Sequence, residues 1–338
     1  MTYAALKGIE YYLPRKVLTT EQIHLEHPEW SIEKIEEKTG ISTRFLSDEN
    51  ECASDMAVEA AQKLFDTNLC KPKDIDTLIL CTQSPDYFLP TTACILQDRL
   101  GLSQRVGAFD INLGCSGYIY GLGLAKGLIE TSQSENVLLL TAETYTKFIH
   151  HQDKSVRTIF SDAAAATLIN TQKKPFQIGP FVYGTDGSGY QNLIVPVGGM
   201  RHPKKQLEYD VHKDEQGNQR TDENLFMHGH ELFNFTLRVV EPTVTQLLEK
   251  AEITLDSIDY FIFHQANKFM LDYLRKRIKI PKEKFIIDVK DYGNTVSSTI
   301  PLALKNKFND GTIQKNQTLM LVGFGVGYSW GATLIKVQ

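Results

Sequence analysis

The stretch Asp110–Leu140, DINLGCSGYIYGLGLAKGLIETSQSENVLLL, holds a single cysteine, Cys115, between Gly114 and Gly117. Ahead of it lies RVGAFDINL (105–113), which reads as a strand, and behind it SGYIYGLGLAKGLI (116–129), which reads as a buried helix of small and apolar residues. The thiol therefore stands at a strand-to-helix junction. Gly117, Gly121, Gly123 and Gly127 each cost that helix about 1 kcal/mol against alanine. Close packing against a counterpart helix is the expected compensation, because glycine lets backbones approach. A cysteine in the first turn of such a helix feels the positive end of its dipole, which favours thiolate and lowers the pKa. That is the setting of a nucleophile.

Working outward, strand-like runs DTLILCTQS, NVLLLTAE, YFIFHQA, KFIIDVK and TLMLVGFG alternate with helical CASDMAVEAAQKLF and HELFNFTLRVVEPTVTQLLEKA. This alternation indicates an α/β fold with largely buried strands. The chain also repeats itself weakly. DIDTLILCTQS (74–84) resembles SIDYFIFHQA (257–266), with Asp76 over Asp259. FDINLGCSG (109–117) lies over IDVKDYGNT (287–295), so that Gly114 matches Gly293 and Cys115 falls on Asn294. AATLI (165–169) recurs as GATLI (331–335). Two related α/β units are expected, 1–172 carrying Cys115 and 173–338 carrying His264 and Asn294. His264 follows the strand YFIF, and open α/β sheets bind ligands at the carboxyl ends of their strands.

Composition narrows the functional classes. The net charge of -5 gives no general pull toward nucleic acid or anionic membrane. The five cysteines, Cys52, Cys70, Cys81, Cys94 and Cys115, are odd in number and include no C-x-x-C pair, which argues against a disulfide framework or a structural zinc site. With no apolar signal core and no run of ~18 apolar residues, a soluble cytoplasmic protein is expected. His150 and His151, or His228 and His230, do not read as metal ligands, because nothing completes a set at ligand spacing.

Each candidate also has a plain structural reading. A free cysteine is usually a small buried hydrophobe, the reading kept for the four others. His264 alone fits a satisfied core histidine, and Asn294 alone fits a helix cap. Three such groups at three strand ends of a repeated fold point to a site.

Taken together, KTGISTRFL (38–46), GCSG, HQAN, YGNT and GFGVGYSWGATLI (323–335) make the chain resemble β-ketoacyl-acyl carrier protein synthase III of the thiolase superfamily over nearly its whole length. The resemblance implies a thiolase-like fold of two pseudo-symmetric halves in α-β-α-β-α layers. It implies that Cys115, His264 and Asn294 are the family's Cys-His-Asn triad, and that the backbone N–H groups of Cys115 and Val326 form the oxyanion hole. Leu89, Lys154, Asn267, Phe269 and Phe324 fall at substrate contacts, and Lys268, Arg275, Lys276 and Arg277 at contacts with an acidic acyl carrier protein. The implied reaction takes an acyl thioester, on acyl carrier protein or coenzyme A, and malonyl-acyl carrier protein, with no metal or other cofactor, in a homodimer. The second catalytic cysteine of true thiolases is missing from the C-terminal half.

The chain departs from the family's usual pattern at the primer mouth. Aligned on Gly40, Lys34 and Lys38 stand where a tryptophan and an arginine are usual, so the adenine-stacking aromatic is absent and coenzyme A is expected to be a poor donor. Phe269 and Asn234 replace two cations of the pantetheine mouth. Leu89 replaces a phenylalanine that crosses the dimer interface, which admits a longer or branched primer. The polar run 201–224 reads as a surface excursion. The expectation is a decarboxylating condensing enzyme of a specialised fatty-acid or polyketide-type pathway. Two other readings stay open: an acyltransferase that passes the Cys-bound group to oxygen or nitrogen, and a non-catalytic partner subunit.

Overall fold

Asn136–Glu143 is buried at seven of its eight positions, and its alternate residues serve two different cores. Val137 and Leu139 point to one side, Leu138 and Leu140 to the other, the period-2 signature of a strand covered on both faces. Full burial of each contributes about 1.5–3 kcal/mol. The computed structural model describes residues 2–173, 177–205 and 209–337. Ten of its strands form two sheets: β1 (Tyr3–Tyr12), β2 (Thr77–Cys81), β3 (Gly107–Ile111), β4 (Asn136–Glu143) and β5 (Ala163–Gln172), then β6 (Ile178–Thr185), β7 (Tyr260–Phe263), β8 (Phe285–Ile286), β9 (Thr318–Gly325) and β10 (Ser329–Lys336).

The first sheet has the order β1-β5-β4-β2-β3 and the second β6-β10-β9-β7-β8. In both, the last three strands named are parallel and the remaining pairs antiparallel. The internal repeat is thus a repeat of topology, strand for strand. Six helices follow the same symmetry: α1 (Ala53–Asp66), α2 (Thr92–Arg99) and α3 (Gly117–Glu130), then α4 (Gly229–Ala251), α5 (Lys268–Ile278) and α6 (Thr299–Asn309). Tyr118, Ile119 and Leu122 of α3 share one core with Ile300, Ala303 and Leu304 of α6 and with inward residues of both sheets. The outer faces carry α1 and α2 on one side and α4 and α5 on the other. Five layers result, a pseudo-symmetric α-β-α-β-α arrangement.

Two expectations are corrected by this packing. The glycines of α3 do not face a partner helix. Gly117 meets Cys81 Sγ, Gly121 the side chain of Leu139, and Gly123 that of Tyr183, while Gly127 faces open space. Their smallness lets the helix settle onto strand side chains of both sheets. KFIIDVK, read as a strand, is one only at Phe285–Ile286. Beyond it, Asp288 gives its N–H to Gln265 Oε1 at 2.7 Å and accepts from Asn306 Nδ2 at 2.6 Å, so the chain leaves the sheet before it reaches Asn294.

Candidate active site

Cys115, His264 and Asn294 line one cavity of about 150 Å³. Each arrives from a strand end: Cys115 from the turn between β3 and α3, His264 directly after β7, and Asn294 from the turn between β8 and α6. Cys115 and Asn294 therefore occupy equivalent junctions of the two halves. The walls are largely apolar, including Ile159, Leu193, Met227, Leu232 and Met270.

The sulfur is pressed from the C-terminal half. A Cβ on Gly325 would stand 2.7 Å from Cys115 Cβ and 2.9 Å from Sγ, so only glycine lets β9 come this close. The backbone N–H groups of Cys115 and Val326 both hydrogen-bond the thiol and favour its ionised form. Burial outweighs them, followed by repulsion from Glu143, and the thiol is pushed up to about 12. This reverses the expected lowering. Cys115 lies ahead of the N-cap Ser116 rather than in the first turn, and desolvation of a fully buried charge exceeds the effect of a helix end.

His264 is buried, and burial pulls its pKa down to about 3, so the imidazole is neutral. Its backbone N–H donates to Val322 O at 2.8 Å, Phe324 meets the ring edge-on at 5.7 Å, and Nδ1 lies 2.8 Å from Thr299 Oγ1. Asn294 does not cap α6, whose N-cap is Ser298. Its Oδ1 accepts the Val296 N–H at 3.0 Å, which turns the amide nitrogen into the free end. Its backbone is clamped to the N-terminal half by Asn294 N–H to Ile159 O, 2.9 Å, and Ser161 N–H to Asn294 O, 3.0 Å. Two uncharged groups and one thiol thus converge on a largely apolar pocket in which a developing oxyanion would find hydrogen-bond donors.

Two family models match the chain: 3-oxoacyl-[acyl-carrier-protein] synthase III over residues 109–187 and the C-terminal domain of the same family over 248–337. A β-ketoacyl-[acyl-carrier-protein] synthase III of Clostridium perfringens (strain ATCC 13124) is 38% identical over 338 residues and spans all of both chains. The chain belongs to the synthase III family. A solved 3-oxoacyl-(acyl-carrier-protein) synthase III matches with a TM-score of 0.97 at 50% identity, covering 99% of each chain. The corresponding synthase from Burkholderia xenovorans LB400 matches at 0.91 and 35% identity, covering all of this chain and 95% of that one. The protein is a synthase III-like condensing enzyme of the thiolase superfamily.

Not every residue marked for a synthase III role reaches the cavity. Asn267 and Phe324 line it, and Asn267 also caps α5 by accepting from Met270 N–H at 2.8 Å. Leu89, expected to cross a dimer interface rather than to enter its own chain's cavity, is 86% exposed next to exposed Tyr87 and Phe88. Phe269 is 58% exposed, packed on Phe233 at 5.8 Å. Lys154 sits over the ring of Trp30 at 5.8 Å, and His27 stacks on that ring at 4.1 Å. Trp30 is an aromatic that alignment on Gly40 passes over, yet it is 7% exposed and already covered by these neighbours. It offers no open face for a base. Of the basic residues on α5, Lys268 pairs with Asp272 at 2.8 Å, Arg275 lies 3.8 Å from Asp272, and Arg277 pairs with Glu241 at 2.7 Å. Lys276 is exposed.

The polar run 201–224 is more anchored than a solvated excursion, although residues 206–208 lie outside the described residues. It folds a hairpin, His212–Lys213 against Gln219–Arg220, and Arg220 reaches the buried Asp153 at 2.8 Å. Arg44 of KTGISTRFL is wholly buried and donates to Thr20 Oγ1, Ile41 O and Thr158 O, bracing the segment that leads into Ile159. Among the described residues, no group of three or more His, Cys, Asp or Glu is gathered for a metal ion, and no helix is long and apolar enough to cross a membrane. Thr299 and Glu143 went unnoticed in the sequence. For Glu143 the available signal was an acid closing a largely apolar strand.

Proposed function

We propose that Cys115 takes an acyl group from a thioester and that His264 and Asn294 then activate a malonyl thioester for decarboxylative condensation. In the first half-reaction the sulfur attacks the thioester carbonyl, the carbonyl oxygen turns toward the N–H groups of Cys115 and Val326, and the departing thiol carries the proton that Cys115 gives up. In the second, the malonyl thioester oxygen lies between the imidazole and the Asn294 amide nitrogen. Carbon dioxide leaves, the enolate is held by these two donors, and its carbon attacks the acyl-cysteine to give a 3-oxoacyl thioester. The free cysteine then recovers a proton from solvent.

The observation that carries this reading is the opening of thiol, imidazole and carboxamide onto a single apolar cavity. A neutral imidazole suits the role, because it donates a hydrogen bond without bringing a charge that would hold the malonyl carboxylate in place. Exposed Lys276 and the paired cations Lys268, Arg275 and Arg277 form a docking face suited to an acidic acyl carrier protein, which supports a primer delivered on that carrier. A homodimer working in the cytoplasm completes the proposal.

The test is incubation with acyl-carrier thioesters and malonyl-carrier, followed by mass spectrometry. An acyl adduct on Cys115, release of carbon dioxide and a 3-oxoacyl product are expected. Absence of any adduct across chain lengths would overturn the assignment of Cys115. An adduct without carbon dioxide release would instead favour transfer to oxygen or nitrogen.

A further inference from the structure

We infer that Thr299 is a positioning residue that fixes the tautomer of His264, holding Nε2–H toward the cavity as a donor; the inference rests on the role proposed above for the imidazole. A neutral imidazole carries one ring proton, and the partner of one nitrogen decides which bears it. Thr299 Oγ1 lies 2.8 Å from His264 Nδ1, and both side chains are buried. The hydroxyl has one proton and two acceptors in reach, Nδ1 at 2.8 Å and the Val296 carbonyl at 3.1 Å.

If that proton goes to Val296 O, Nδ1 must be the protonated nitrogen, and Nε2 presents a lone pair to the cavity. If it goes to Nδ1, Nε2 is the protonated nitrogen and becomes a donor. Val296 O already accepts the backbone N–H of Thr299, so withdrawing the hydroxyl from it leaves no orphaned carbonyl. The shorter contact and the satisfied carbonyl both assign the proton to the Thr299–His264 bond.

Thr299 opens α6, the helix equivalent by symmetry to the one behind Cys115, and Asn294 precedes it in the same turn. One local structure thus orients both donors: Val296 N–H fixes the Asn294 flip, and the Thr299 hydroxyl fixes the ring proton.

The test joins spectroscopy with separated half-reactions. In protein labelled with 15N-histidine and assigned by difference against Thr299→Val, His264 is expected to show Nδ1 as an unprotonated acceptor and Nε2 as protonated. Thr299→Val is expected to acylate Cys115 at the wild-type rate while malonyl decarboxylation falls about tenfold, the weight of one hydrogen bond. Thr299→Ser, which keeps the hydroxyl, restores both signals. A protonated Nδ1 in the wild type overturns the inference, as does unchanged decarboxylation in Thr299→Val. Wild-type protein that neither acylates nor decarboxylates would overturn the proposed function while leaving the tautomer to be read directly from the spectrum.

Discussion

Glu143 Oε1 accepts the Ser297 hydroxyl at 2.8 Å while Oε2 accepts the Gln83 N–H at 3.0 Å, so one buried carboxyl group ties the turn carrying Asn294 to the N-terminal sheet. Burial raises its pKa to about 8 against the opposing effect of those hydrogen bonds. When ionised, it also opposes a thiolate at Cys115. As pH rises through about 8 the carboxyl ionises and that repulsion grows. Alkylation of Cys115 by iodoacetamide should therefore climb less steeply between pH 8 and 9.5 in wild type than in Glu143→Gln. Identical slopes in the two proteins would remove Glu143 from any account of thiol reactivity.

His264 is held near 3 by burial, so it stays neutral across the working range. The condensation rate should show no inflection from this residue between pH 5 and 8. Stability carries the same sign. The unfolded chain binds this proton below about 6.5 and the folded chain only near 3, so its contribution is intact above the first value and is lost progressively as pH falls toward the second. Denaturant titrations should find wild type losing stability relative to His264→Gln between pH 7 and 4. A constant difference would mean that the imidazole is not desolvated as described.

The amide nitrogen of Asn294 is the end left facing the cavity, since Oδ1 is held by Val296. Removing a donor of this type costs about 10²–10³ in rate. Asn294→Ala should slow condensation by that factor yet still accumulate acyl-Cys115, as seen by intact mass. Equal loss of both half-reactions would show that Asn294 acts on the fold rather than on the enolate.

Gly325 comes within van der Waals range of Cys115 only because it has no side chain. Alanine there forces strands or sulfur apart. A destabilisation of about 1–3 kcal/mol is expected from overpacking, together with at least a tenfold loss of Cys115 acylation, checked by urea unfolding and by adduct formation. Wild-type behaviour in both assays would contradict the close approach of β9 to the thiol.

Much was legible before the fold was known, and for physical reasons. A strand buried on both faces is largely apolar, which is why NVLLLTAE announced β4 to the residue. A duplicated topology leaves paired junctions, which is why Cys115 could be laid over Asn294 and His264 placed at a strand end. What failed was local reasoning about long-range effects. The α3 glycines were read against a helix and proved to face strands. The thiol was read from its helix end, whereas burial and Glu143 set its pKa.

The amino-acid sequence by itself determined the alternation of strands and helices, the repeat and the identities of the groups at the strand ends, because period, turn chemistry and motif are written along the chain. Tertiary structure alone decided that those groups share one cavity, that Trp30 is already covered by His27 and Lys154, and that Thr299 and Glu143 stand behind the imidazole and the thiol. These depend on contacts between segments far apart in the chain, and on a local dielectric that exists only once both halves have closed over the site.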